Sequence, residues 1–349
     1  MIHAEKILVI KLRAIGDVVL STIVLENLAR AFPQAAMDFL TEPAPAAILS
    51  KHPALRRVWI LDRTARRRSE HSTGRWAMTR LLRSLRAERY DLVFDFFGNP
   101  RSALITWVSG AHYRVGYDYR VRRLAYSHVV RSRAREVHEA DWHLDALTAL
   151  EIPIVSRRLQ VAFGPEEVQF AEAFLHQLGW PDRRVAVINF SGGWAAKRWP
   201  LPRFAELCET LAAAYPFHLA AIWGPGERQS ADQLCRMALT SGIVPAPATS
   251  LTQLAALLQR AAIMVTTDSG PMHIAAAVGT PCVAIFGPTD PELQGPYGSQ
   301  HTVVRNTALS CLACNRTTCD HVRCMEQLPV ASVFQAVKEC VAKNKLLPG

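Results

Sequence analysis

The chain has 349 residues, half of them apolar, and carries a formal net charge of +10. This length allows one large or two medium hydrophobic cores, and we expect two domains. No apolar run is long enough for a membrane span, and the charges between Met1 and Asp17 argue against a cleavable signal peptide, so we expect a cytoplasmic protein.

The first half alternates short apolar strands with helical segments. Residues 6–10 are predicted as a buried strand, 12–17 as a loop, and 18–31 as a helix that ends before Pro33. Further strands are predicted at 37–41, 58–61, 92–95 and 113–117, and a helix at 136–150. Strands that alternate with helices indicate a parallel sheet.

A second alternation follows a boundary near residues 155–164. Strands are predicted at 185–190, 218–223, 243–245, 263–267, 282–286 and 302–305, and helices at 166–179, 201–214, 227–239 and 251–261. The predicted fold class is therefore α/β, with two doubly wound parallel sheets. We expect the domains to span residues 1–160 and 161–349.

Positive charge is concentrated between residues 56 and 89. The acidic residues of this segment are Asp62, Glu70 and Glu88, against eleven arginines. The arginines are Arg56, Arg57, Arg63, Arg66, Arg67, Arg68, Arg75, Arg80, Arg83, Arg86 and Arg89. Nucleic acid, anionic lipid headgroups and a phosphorylated saccharide would each suit such a segment, and a solvated arginine-rich helix face is the alternative.

The segment 265–287 carries the strongest functional signal. An apolar strand ends at Asp268, and a capping residue and a Pro then open a short helix that stops at Gly279. Free backbone N–H groups and the helix dipole at such a strand end favour a phosphate, and Ser269, Gly270 and His273 add contacts. An ordinary βαβ crossover with a good cap would show the same pattern.

Two further loops follow predicted strands. In loop 11–17, Asp17 is a candidate general base for an acceptor hydroxyl, or else a charge that complements a helix dipole. In loop 191–200, Ser191, Gly192 and Gly193 permit close approach to an oxyanion, and Lys197 is a mobile positive charge. A solvent-exposed turn that packs through an aromatic residue is the alternative for this second loop.

Loop 223–227 places Glu227 where it could accept hydrogen bonds from a ribose diol, or simply begin a helix. Neither a Walker phosphate-binding loop nor a G-x-G-x-x-G after a strand occurs in the chain. Nucleoside triphosphate hydrolysis and nicotinamide chemistry are therefore disfavoured.

These segments together resemble glycosyltransferase family 9, the ADP-heptose:lipopolysaccharide heptosyltransferases. The resemblance rests on Lys-x-x-x-x-Gly-Asp at 11–17, Asp-x-x-Gly-Asn-Pro-Arg-Ser at 95–102, Arg-Val-Gly-Tyr at 114–117, Lys-Arg-Trp-Pro at 197–200, Trp-Gly-Pro-Gly-Glu at 223–227, Asp-Ser-Gly-Pro-Met-His at 268–273 and Phe-Gly-Pro-Thr-Asp-Pro at 286–291. The motifs occur in the family's order over nearly the whole chain.

The resemblance implies a GT-B architecture, two facing Rossmann-like domains with an interdomain cleft. It implies an inverting transfer of heptose from ADP-heptose to a Kdo or heptose of the lipopolysaccharide inner core, without a metal or other cofactor. The implied partners are the nucleotide-sugar, a lipid-linked anionic saccharide and the cytoplasmic face of the inner membrane, with no nucleic acid. An epimerase-like enzyme or a non-catalytic nucleotide-sugar-binding module on the same scaffold is the alternative.

The resemblance also assigns roles to residues. Asp17 would be the catalytic base and Lys197 would neutralise the leaving diphosphate. The implied donor-binding residues are Ser191, Gly192, Gly193, Glu227, Asp268, Ser269, Gly270, Met272 and His273, in a C-terminal donor domain. The candidate acceptor-binding residues, in an N-terminal acceptor domain, are Arg13, Gly16, Asn99 and Arg101, together with Arg66, Arg67 and Arg68 from the positively charged segment. The run 189–193 departs from the forms usual in the family, which leaves its hydroxyl contact open.

A cysteine-rich segment, 311–324, lies near the C-terminus. It contains Cys311, Cys314, Cys319 and Cys324, a plausible ligand count for a structural zinc ion, although the second pair is spaced more widely than in common zinc sites. A redox-active or disulfide pair and free thiols are the alternatives.

Overall fold

The computed structural model describes residues 2–62, 73–180 and 184–347, with the side chains of all of these except 73–77. The chain divides into two compact units between Ala162 and Phe163. In the described part of the chain, no helix is both long and apolar enough to cross a bilayer.

Among the described residues of the first unit, six strands form one parallel sheet. They are β1 (Lys6–Ile10), β2 (Ala36–Thr41), β3 (Arg57–Ile60), β4 (Leu92–Asp95), β5 (Tyr113–Tyr117) and β6 (His128–Val130), in the order β3-β2-β1-β4-β5-β6. The helices of this unit are α1 (Ile15–Ser21), α2 (Ile23–Ala31), α3 (Pro43–Leu49), α4 (Thr73–Glu88), α5 (Pro100–Ser109) and α6 (Glu139–Thr148). Residues 7–10 of β1 are fully buried, as expected for a central strand covered on both faces.

The second unit repeats this arrangement. Its strands are β7 (Val185–Asn189), β8 (His218–Ile222), β9 (Val244–Pro245), β10 (Ile263–Thr267), β11 (Cys282–Ile285) and β12 (Thr302–Val304), in the order β12-β11-β10-β7-β8-β9. The helices are α7 (Pro165–Gln177), α8 (Leu201–Ala214), α9 (Arg228–Met237), α10 (Leu251–Arg260), α11 (Gly270–Ala277), α12 (Pro291–Gln294), α13 (Arg323–Glu326) and α14 (Val330–Asn344).

Read from its third strand, each sheet has the strand order 3-2-1-4-5-6 of a Rossmann fold. The predicted α/β class with two doubly wound parallel sheets is therefore confirmed. In such sheets the order in which successive strands are added reverses beside the first strand, and ligands bind outside the carboxyl ends of the strands at that point. Register places Ile10 of β1 beside Asp95 of β4, and Asn189 of β7 beside Thr266 of β10.

Several parts of the fold differ from the sequence prediction, and the predicted loop 12–17 already contains the start of α1 at Ile15. The predicted helix 18–31 is two helices, because the hydroxyl of Thr22 donates to the carbonyl of Val19 (2.6 Å) and accepts from the amide of Gln160 (2.8 Å) at the junction. Strand β6 is too short to show a sequence pattern. Helix α14 was not predicted, although its buried residues pack into the apolar core of the second unit.

Candidate active site

The loops after β7 and β10 are joined by Asn189, the last residue of β7. Its side-chain amide donates to the hydroxyls of Thr266 (2.8 Å) and Ser269 (2.7 Å), and its oxygen accepts from the amide of Ser191 (3.4 Å). Asn189 is almost fully buried. The run that departs from the usual family forms therefore fixes the two loops to each other.

Lys197 and Asp268 meet beside this junction. The ammonium Nζ of Lys197 lies 2.6 Å from Oδ2 of Asp268, and only 13% and 8% of the two side chains are exposed. The same ammonium lies 4.2 Å from the ring centroid of Trp194, within cation–π range. A nearly buried lysine with this geometry offers a fixed positive charge at a strand edge.

Glu227 forms the neighbouring part of the cluster. One of its carboxylate oxygens, Oε2, accepts hydrogen bonds from the hydroxyl of Ser191 and from the amide of Gly224 (2.9 Å). The guanidinium of Arg198 lies 3.9 Å from the other oxygen. A Cβ at position 224 would lie 3.1 Å from Oε2, so this close approach favours glycine.

The start of α11 differs from the prediction in one respect. The residue at the predicted capping position is Ser269, but its side chain makes no capping hydrogen bond. The hydroxyl of Ser269 is bonded instead to the ends of β7 and β10, because Asn189 reaches it. Pro271 has no N–H group and the amide of Met272 donates to the carbonyl of Ser269 (3.2 Å), so the first turn of α11 leaves the amide of Gly270 as its N–H donor.

The remaining predicted donor residues lie on the same loops and helix. His273 is buried in α11, while Met272 has no exposed surface and packs with Ala284 and Phe286 in an apolar cluster. Gly192 is buried and Gly193 is exposed, both in the loop after β7. Sequence reasoning thus identified a set of side chains that one sheet edge brings together, and their roles in binding remain predictions.

In the first unit, Asp17 lies in the first turn of α1, directly after β1, and is partly exposed. Lys11, the buried first residue of loop 11–17, donates to Oε1 of Glu139 (2.6 Å) and to the carbonyl of Phe96 (3.3 Å). Burial alone would lower the pKa of Lys11, but Glu139 and Asp17 outweigh it, so the pKa is raised and the ammonium stays charged. Sequence reasoning missed this ion pair, for which the only signal was a lysine ending an apolar strand.

The end of β4 lies beside β1 and holds the other predicted acceptor residues. Asp95 is buried and accepts from the hydroxyl of Tyr126 (2.8 Å) and the amide of Gly98 (2.9 Å), and burial raises the pKa of its carboxyl group. The side chain of Asn99 caps α5 by accepting from the amide of Ser102 (2.8 Å). Asn99 therefore has a structural role that the sequence analysis did not predict.

The predicted acceptor-binding arginines fall into two groups, those inside and those outside the described residues. Arg13 is exposed in the loop before α1, Arg101 is half-buried in the first turn of α5, and Gly16 is buried in α1. Arg66, Arg67 and Arg68 lie outside the described residues.

The predicted zinc site is not assembled. Within residues 2–62, 73–180 and 184–347, no three His, Cys, Asp or Glu side chains are arranged to hold a metal ion. Cys311 and Cys314 are exposed, whereas Cys324 is buried, with its sulfur against Gly287. Cys324 thus packs as a small apolar residue, and the four thiols are free.

A model of glycosyltransferase family 9 (heptosyltransferase) matches residues 78–324. The chain belongs to glycosyltransferase family 9. The predicted family and the prediction of a glycosyltransferase are thereby confirmed.

The chain is similar over most of its length to curated lipopolysaccharide heptosyltransferases. Lipopolysaccharide heptosyltransferase 1 of Pseudomonas aeruginosa is 28% identical over 330 residues, covering 90% of this chain and 88% of that protein. Lipopolysaccharide heptosyltransferase 3 of Escherichia coli is 26% identical over 295 residues, covering 81% of this chain and 84% of that protein.

Solved structures agree. The E. coli heptosyltransferase WaaC with ADP is 25% identical, with a TM-score of 0.78 over 96% of this chain and 99% of that one. A family 9 glycosyltransferase from Veillonella parvula has the same fold, with a TM-score of 0.83 over 97% of each chain at 21% identity.

Proposed function

We propose that this family 9 enzyme transfers a heptose from ADP-heptose to a Kdo or heptose of the lipopolysaccharide inner core, with inversion at the anomeric carbon. The observation that carries the proposal is the contact of Lys197 with Asp268, beside Glu227 and the uncapped start of α11. The relatives named as lipopolysaccharide heptosyltransferases and the ADP complex of WaaC support the choice of donor and acceptor.

The donor would bind to the second unit. Glu227 would accept hydrogen bonds from the ribose, and the diphosphate would lie between Lys197 and the amide of Gly270 at the start of α11. Ser191, Gly192, Gly193, Asp268, Ser269, Gly270, Met272 and His273 would form the rest of this site. As the sugar becomes oxocarbenium-like, negative charge develops on the departing ADP, and these fixed positive groups stabilise it without a metal ion.

The acceptor would bind to the first unit. Asp17 would remove the proton from the acceptor hydroxyl as that oxygen attacks the anomeric carbon from the face opposite ADP. Arg13, Gly16, Asn99 and Arg101 would contact the acceptor, whose anionic groups would also meet Arg66, Arg67 and Arg68. Because this acceptor is lipid-linked, we place the enzyme at the cytoplasmic face of the inner membrane.

The substitution Asp17→Asn tests this mechanism. It should lower heptose transfer to a Kdo-bearing lipid A by about a thousandfold or more, because a positioned base contributes roughly 10² to 10⁴ in rate. ADP should still raise the melting temperature of the variant as it does that of the wild type, while UDP, GDP and dTDP should not.

Asp118→Asn, at an exposed residue of the same unit, is the matched control and should retain activity. Normal turnover by the Asp17 variant would remove Asp17 as the base. A melting temperature that rises with UDP instead of ADP would contradict the proposed donor, and sugar conversion without any acceptor would favour an epimerase-like enzyme.

A further inference from the structure

Thr289 makes a contact in the proposed donor site that the sequence analysis did not anticipate. It lies in the Phe-Gly-Pro-Thr-Asp-Pro segment after β11 and is 3% exposed. Its hydroxyl donates to Oδ2 of Asp268 at 2.6 Å, and that same oxygen lies 2.6 Å from Nζ of Lys197. One carboxylate oxygen therefore joins the hydroxyl and the ammonium.

The backbone around Thr289 is held from both sides. The carbonyls of Gly287 and Pro288 accept hydrogen bonds from the amides of Ala313 (3.1 Å) and Asn315 (2.6 Å), in the cysteine-rich segment. On the other side, Asp290 caps α12 by accepting from the amide of Glu292 (3.0 Å). These hydrogen bonds hold the backbone of Thr289 in place while its hydroxyl donates to Asp268.

We propose that Thr289 is a positioning residue of the donor site, acting through Asp268 on Lys197. The inference rests on the proposed function, because it assigns Lys197 to the donor diphosphate. Two donors on one oxygen fix the rotation of the Asp268 carboxylate, and the carboxylate in turn fixes the lysine. The hydrogen bond from the Thr289 hydroxyl also stabilises the negative charge of Asp268. Lys197 can therefore turn from Asp268 to a phosphate with a smaller loss of free energy.

The substitution Thr289→Val removes the hydroxyl and keeps the shape, whereas Thr289→Ser keeps the hydroxyl. The valine variant loses a hydrogen bond to a charged group, and the free energy of such a bond corresponds to an ADP affinity about tenfold weaker, which calorimetry would measure. The serine variant should stay within about threefold of wild type, since it retains the bonded group. Equal ADP affinity in the wild type and the valine variant would overturn the proposal, as would equal weakening by valine and serine.

Thr106→Val is the matched control. Thr106 is also fully buried, and among the described residues its hydroxyl has no hydrogen-bond partner. Its replacement should leave ADP affinity unchanged. Weakening by this control equal to that of Thr289→Val would show a general effect of buried threonines and would contradict the positioning role.

A ligand-free measurement separates this inference from the proposed function. In urea unfolding, the effect of Thr289→Val should largely disappear when Asp268→Asn is already present, since the two residues act as one unit. Additive effects would overturn the inference. If this coupling is found but the wild type does not bind ADP, the proposed function fails while the link between Thr289 and Asp268 stands.

Discussion

At the scale of single residues, both units bury charged or titratable groups close to their strand ends. In the first unit, Lys11 and Glu139 form a buried pair, and the imidazole of His143 lies 3.5 Å from the same Glu139 oxygen. The pKa of Glu139 would be raised by burial, but Lys11 and His143 outweigh this and hold it well below its usual range. The ion pair of Lys11 and Glu139, at the start of the loop that carries Asp17, therefore remains ionised at neutral pH.

Two buried histidines make stability depend on pH. Burial lowers the pKa of His143 to about 4, with a further contribution from Lys11, and burial likewise lowers the pKa of His301 to about 4. Below pH 6.5 the unfolded chain binds protons that the folded chain does not, so the free energy of unfolding should fall as the pH decreases from 6.5 to 4.

We expect each histidine to account for a loss of about 2 kcal/mol between pH 7 and pH 5. Urea unfolding of His143→Phe at the two pH values should show a smaller loss than the wild type. His112→Gln, at an exposed histidine, should behave as the wild type does. An unchanged pH dependence in the His143 variant would contradict the assignment of this effect to the buried imidazole.

At the scale of elements, the helix starts at the two sheet edges differ in whether a side chain caps them. Helix α5 begins with a reciprocal capping box, in which Asn99 accepts from the amide of Ser102 and the Ser102 hydroxyl accepts from the amide of Asn99 (3.0 Å). Helix α11, in contrast, follows Ser269 without a side-chain cap, as α1, α8 and α9 also do after their own N-cap residues. We propose the start of α11 for the diphosphate because the ammonium of Lys197 lies beside it, against Asp268.

Substitutions at Asn99 distinguish its capping from its proposed contact with the acceptor. Asn99→Ala should lower the free energy of unfolding by about 1 kcal/mol, and Asn99→Ser should restore most of this, because serine also caps helices. If Asn99 also binds the acceptor, the serine variant should keep its stability and still show a higher KM for the acceptor. Full activity of the serine variant would limit Asn99 to capping α5.

At the scale of the whole molecule, the net charge of +10 and the arginines of residues 56–89 remain to be explained. Some of these arginines are already engaged, since Arg56 pairs with Asp38 and Glu88, and Arg57 also pairs with Glu88. Arg80, Arg83 and Arg86 are exposed on α4. The arginines at the start of the segment are therefore paired within the protein, whereas those exposed on α4 can contact an anionic partner.

Changing Arg66, Arg67 and Arg68 together to Ala should weaken binding to vesicles of anionic phospholipid and raise the acceptor KM, both less at high salt. ADP affinity should not change, because the proposed donor site lies in the second unit. Arg228, Arg236 and Arg184, changed together to Ala in the second unit, provide the charge-matched control. Unaltered vesicle and acceptor binding in the first triple variant would leave these arginines as a solvated surface.

The sequence alone determined the two parallel sheets, most strand positions and the family, because local apolar patterns and short motifs carry that information. It also named Lys197, Asp268 and Glu227 from the chemistry of their loops. It did not separate α1 from α2, since the hydroxyl of Thr22 meets a distant backbone amide, and it suggested a metal site in cysteines that the fold does not assemble.

The tertiary structure alone decided which of these side chains meet. Lys197, Asp268 and Thr289 come from three loops. The order of β7, β10 and β11 in the sheet brings Lys197 and Thr289 to the same carboxylate oxygen of Asp268. The pairing of Lys11 with Glu139 likewise joins a strand to a helix far along the chain. Local sequence sets the conformation of each element, whereas contacts between distant residues depend on how the elements pack. The residues of the proposed donor site could therefore be named from the sequence, but their contacts could not.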